Sequence, residues 1–170
     1  MAWSPTFTVI NARAIADNIL TYVLDSTRQA DALTWAGGSS LKAVTKFSDT
    51  IASRGTPAFP AIQFIDDEDA VDYSADVLIG AYIVTFEMMV QSGTLATAIT
   101  NAKTYAIAFT SMIRNCPSAT LGASTGATAA TVRLLSIETG FDPIKTNDKQ
   151  NDFLQTLKIR ATFQMQVGAL

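Results

Sequence analysis

The clearest pattern lies near the C-terminal end of the chain. Phe153, Leu157, Ile159, Ala161, Phe163, Met165 and Val167 alternate with Thr156, Lys158, Arg160, Thr162, Gln164 and Gln166. A period of two marks a strand with one buried face, so a strand is predicted over 153–167. "DVLIGAYIVTFEMMVQ" predicts a second long strand, 77–91. Its even positions from Leu78 to Val90 are almost wholly apolar, whereas its odd positions turn polar at Thr85, Glu87 and Gln91. "AFPAIQFI" reads as a short strand over 59–65, and "VRLLSIETGF" as one over 131–139.

Two stretches carry helical spacing instead. Ile15, Ile19, Tyr22 and Val23, with Ala12 and Ala16 beside them, predict a helix over 9–25. Leu95, Ala98, Ile99, Ala102, Ala106, Phe109, Met112 and Ile113 form one stripe and predict a helix over 94–115. Ser92 or Thr94 suits its N-cap, and Pro117 stops it. Residues 26–58 read as irregular, with "WAGGSS" a loop, and "LKAVTKFSDTIASRG" fits a strand or a short helix equally well. The small, polar 117–130 reads as a loop, and "DPIKTNDKQND" as a turn.

Strands joined by short polar turns pair as antiparallel hairpins. The expected fold is therefore α+β: one domain, 1–170, with a mostly antiparallel sheet of about four strands and long hairpins packed against two helices. The strand over 153–167 would extend about 50 Å at the usual rise. A domain of this length has a radius of gyration of about 15 Å. Part of a strand that long is expected to project or to pair with another chain.

Composition points the same way. Of the 170 residues, 48% are hydrophobic and 16% charged, against about 25% charged in an ordinary soluble domain. That is little charge for covering a monomer's surface. The net charge of −3, with scattered bases, disfavours broad binding to a phosphate backbone. Histidine is absent, which removes the commonest general base and metal ligand. The single Cys116 cannot form an intrachain disulfide. The chain shows no signal-peptide pattern, and its longest apolar run, 77–90, is too short to span a bilayer. The expectation is a soluble intracellular protein.

"IDDEDAVDYSAD" is the stretch with most chemistry to offer. Asp66, Asp67, Glu68, Asp69, Asp72 and Asp76 stand there with no base among them. A calcium loop needs acids at fixed spacing and a glycine for its sharp turn, and neither is present. Paired-carboxylate catalysis needs two acids from different elements and an apolar wall to raise one pKa. Six acids in one run repel one another and stay hydrated, so the stretch reads as a solvated hairpin turn that a partner can read. Cys116 has no histidine to activate it, and "GASTG" lacks the ending of a phosphate-binding loop. No catalytic residue, cofactor or metal is expected, and the chain reads as no enzyme. A small carboxylate-based binding domain or enzyme stands as the distant alternative.

Three strings resemble tail terminator (tail-completion) proteins of long-tailed bacteriophages by their order and spacing: "FPAIQFIDDEDA" (59–70), "SADVLIGAYIVTFEM" (74–88) and "GFDPIKTNDKQNDFLQTLKIRATFQM" (140–165). Residues 31–56 and "TLGASTGATAAT" have no counterpart in that pattern. The resemblance implies a homohexameric ring in the virion, assembled in the bacterial host cytoplasm. Such a ring caps the head-proximal end of the tail tube and joins it to the neck. Its implied partners are the tail tube protein and a head completion or neck protein, with DNA only in transit and no membrane. Other neck or head–tail connector rings share the same small α+β build and form the alternative. The interface residues expected on this reading are the six acids with Lys145, Lys149, Lys158 and Arg160.

Overall fold

The structure is a computed structural model that describes residues 13–47, 59–74, 77–123, 131–147 and 152–167. Over 66–74 and 77–80 the description covers backbone path and pairing. Helices α1 (Arg13–Val23) and α2 (Ser26–Trp35) come first, then strands β1 (Thr45–Lys46), β2 (Ala61–Ser74) and β3 (Val77–Ser92). Helices α3 (Leu95–Arg114) and α4 (Ser118–Leu121) follow, then β4 (Thr131–Phe141), β5 (Lys145–Asn147) and β6 (Asp152–Val167).

The strands form one sheet in the order β1-β2-β3-β6-β4, with β5 paired to β6. Every pairing is antiparallel except β1 with β2. The class is α+β with a mostly antiparallel sheet, as the pattern predicts. The described residues hold six strands and four helices, however, where the sequence suggested about four and two. The extra elements are short or weakly patterned. α2 lies in the stretch 26–58 that reads as irregular, and it buries only Gln29 and Leu33. Two buried positions make no readable stripe. Its start is nonetheless well made, since the Asp25 carboxylate accepts from the Arg28 amide at 2.9 Å. Gly37 ends it with φ +81, and Gly38 then passes so close to α3 that an added Cβ would lie 2.6 Å from Thr104. β5 falls inside the predicted turn, and α4 inside the predicted loop.

The largest correction concerns the acids. The predicted strand 59–65 runs instead from Ala61 to Ser74, so Asp66, Asp67, Glu68, Asp69 and Asp72 belong to β2 and not to a turn. Asp and Glu disfavour strands, but β3 is long enough to give each of these residues a cross-strand partner: Asp66 pairs with Thr85, Asp67 with Val84, Glu68 with Ile83, Asp69 with Tyr82 and Asp72 with Ile79. Pairing overrides propensity here. Asp76 lies outside the described residues.

The core lies between the helices and one face of the sheet. Tyr82, Val84, Phe86, Met88 and Val90 of β3 face it, with Leu157, Ile159, Ala161, Phe163 and Met165 of β6. Both sets follow the period of two in the sequence. Ile15, Ile19 and Val23 of α1 and Ala102, Tyr105, Ala106, Phe109 and Ile113 of α3 close it from above. Leu95, predicted for the α3 stripe, is instead exposed at the helix start, one turn beyond the covered region. The Tyr105 hydroxyl donates to the Lys42 carbonyl at 2.7 Å, which ties the loop after α2 to α3.

Candidate interface: the sheet edges and the open face

Among the described residues the helices cover one face of the sheet and leave the other open. Outward positions of β3 and β6 carry Thr85, Glu87, Lys158, Arg160, Thr162 and Gln164, which are half-buried apart from the exposed Arg160. The charges there are mostly matched at close range. Gln63 Nε2 donates to Glu87 Oε2 at 2.8 Å, and Lys158 Nζ lies 3.0 Å from Asp142 Oδ2. Arg160 sits between Thr85 on β3 and Glu138 on β4. Lys158 and Arg160, which alternation puts on one face, do share it, but each stands beside an acid.

The two sides of the sheet end differently from its middle. β1 covers only Ala61 and Ile62 of β2. From Gln63 to Ser74 the outer side of β2 has no strand beside it among the described residues. Among the described residues the outer side of β4 likewise has no strand beside it over Thr131–Phe141. Each edge strand carries a register shift, at Phe64/Asp66 in β2 and at Leu134/Ser136 in β4. The extra residue is an exposed aliphatic in both cases: Ile65 is 41% exposed and Leu135 54%. Bulges of this kind bend an edge and limit unwanted pairing. No pattern of alternation reveals them, because a bulge breaks the alternation at the residue that makes it.

The acids therefore lie along one open edge of the sheet. Lys145 lies in β5 next to the end of β4, exposed, and Lys149 falls outside the described residues. The structure does not bring Lys145 to the acidic edge, since β6 and β3 lie between β5 and β2.

A second feature escaped the sequence reading. Between α1, α2 and α3 a shallow groove of about 280 Å³ is lined by Tyr22, Arg28, Asp31, Trp35, Met112 and Asn115. The Arg28 guanidinium stacks over the Tyr22 ring at 4.2 Å, and Trp35 is 69% exposed. Cys116, just after α3, is buried, its thiol pushed up to about 11 by burial and drawn back in part by Arg28. Among the described residues no group of three or more His, Cys, Asp or Glu is placed to hold a metal ion. No described helix is long and apolar enough to cross a membrane.

No protein-family model matches the chain, and no curated protein matches it. Among solved structures, it is similar to a chain of the virion of a native gene transfer agent particle. The TM-score is 0.42 and the identity 12%, over 94% of this chain and 99% of that one.

Proposed function

We propose that this chain is a structural subunit of a phage-like virion. Its specific role is that of a ring-forming tail terminator, which caps the head-proximal end of the tail tube and meets the neck. The observation that carries the reading is the sheet, whose long β2, β3, β4 and β6 end in two open edges. Apart from their bulges, edges unpaired among the described residues offer rows of backbone groups along which another chain can extend the sheet. The low charge of the sequence and the order of its terminator-like strings support the same conclusion. The work of such a protein is contact and not catalysis.

Light scattering on the purified protein, alone and mixed with a tail tube protein, tests this. The expected result is a ring in solution or a ring at the tube end. A tight monomer that never joins a tube end would sink the reading.

A further inference from the structure

The direction of the strands sets how copies can join. The four long strands alternate in direction, so β2 and β4, at opposite sides, run in opposite senses. Place a second copy beside the first by rotation about an axis along the strands. Its β2 then lies antiparallel to the first copy's β4, and the alternation continues without a break. An even number of alternating strands makes head-to-tail addition antiparallel, and a contact of this kind closes into a ring when the rotation between copies does so.

Charge selects among the possible partners. Pairing β2 with β2 would set acids against acids over Asp66–Asp72, and like charges directly opposite destabilise a sheet. Pairing β4 with β4 could match Arg133 to Glu138, but it closes a dimer and leaves the β2 edge open. Only β4 with β2 uses both edges.

Charge also selects the register. Within one copy Arg133 lies level with Ala70, and Glu138 with Asp66, through the rungs of β6 and β3. Pairing at that level would put Glu138 of one copy against Asp66 of the next. A slip of two residues toward Ser74 would set Arg133 against Asp72 but also Glu138 against Glu68, so that one pair repels. A slip of two in the other sense sets the exposed Arg133 against Glu68 and Glu138 against Gln63. It keeps the pleat in phase and confines the pairing to β2 beyond the two residues that β1 covers. A stagger is also what a closed sheet requires.

We propose that β4 of one copy pairs antiparallel with β2 of the next, with Arg133 opposite Glu68, so that the sheets join into one continuous wall. The inference rests on the reading of this chain as a ring subunit. The test is a charge swap read by mass photometry and electron microscopy, with circular dichroism to confirm the fold. Wild type should form rings, Arg133→Glu should be folded but monomeric, and Glu68→Arg added to it should restore the rings. Rings that survive Arg133→Glu overturn the pairing while leaving the ring reading intact. A folded, monomeric Arg133→Glu that is rescued by Glu138→Arg and not by Glu68→Arg overturns it in favour of a β4–β4 dimer. Failure of both rescues overturns the register. If Arg133→Glu does not fold, Arg133→Gln is used, which should weaken rings that Glu68→Gln weakens equally; unequal effects overturn the proposal. A wild-type protein that stays monomeric with and without tube subunits removes the ring reading, and this pairing with it.

Discussion

Gln29 and Val44 hold each other by two hydrogen bonds. The Gln29 side-chain Nε2 donates to the Val44 carbonyl at 3.0 Å, and its Oε1 accepts from the Val44 amide at 2.7 Å. Both residues are buried. One side chain thus satisfies both backbone groups of a residue that has entered the core just before β1. Gln29→Leu would keep the volume and orphan both groups, at about 1–3 kcal/mol for each buried group left unpaired. The expected outcome is a clear drop in chemical-denaturation midpoint, larger than that of a substitution at the neighbouring exposed Arg28.

Phe163 sits in the middle of β6, on a rung with Tyr82 and Leu134, and is fully buried. Phe163→Ala should cost about 3–5 kcal/mol, the usual range for an aromatic cavity in a packed core. Thr162→Ala, one position along on the open face, should stay within about 0.5 kcal/mol. Urea titrations of the two variants check the contrast. Similar losses would mean that the open face is packed after all.

The two cases show what was legible. Alternation in 153–167 names the core face of β6 correctly, because one face meets the helices and the other meets solvent. The stripe of α3 is readable from Ala98 to Ile113 for the same reason. α2 was not readable, because its anchor is the polar Gln29 and Leu33 is its one fully buried apolar residue, with only the small Ala32 beside it. The acids misled in a different way. Their composition is that of a turn, and the strand exists only because β3 supplies each acid with a partner in register, from Thr85 for Asp66 to Ile79 for Asp72. Strand length misled about where another chain could join: β6, the strand expected to project or pair outside, lies between β3 and β4, and the edge strands are β2 and β4, whose place depends on a strand order that periodicity does not contain.

Two buried groups make stability depend on alkaline pH. Burial pushes the Tyr105 hydroxyl up to about 12 and the Cys116 thiol up to about 11. Both groups are neutral when protonated, and both hold the proton more tightly folded than unfolded. Their contribution is therefore fully present below the unfolded pKa, near 9 for the thiol and 10 for the phenol, and is lost as pH rises through the folded values. The melting temperature should fall from about pH 9 upward, and Cys116→Ala should flatten the earlier part of that fall. At pH 8 the buried thiol should resist alkylation until the protein is denatured. Rapid labelling of the native protein would contradict the burial.

Lys158 and Asp142 make an ion pair on the open face at 3.0 Å, but both side chains are at least about a third exposed. Such a pair contributes about 0–1 kcal/mol. Lys158→Met should therefore barely move the melting temperature, and adding salt should erase what difference there is. If the variant melts like wild type yet fails to assemble, Lys158 acts between chains and not within one. If it assembles normally, the pair is local trim on the open face.

The acids of β2 should behave in the opposite sense. Asp66→Asn, Asp67→Asn, Glu68→Gln and Asp69→Asn together remove four like charges from consecutive positions of one edge strand. Relieved repulsion should leave the fold intact and raise its melting temperature slightly at low salt, with the gain shrinking as salt increases. Assembly should suffer although stability does not, because the edge loses the charge that directs β4 and rejects another β2. The quadruple variant should form fewer rings and more irregular aggregates by electron microscopy, and should impair tail completion where the particle is available. A variant that is more stable and assembles as well as wild type would show that the acids serve only to keep a solitary edge in solution.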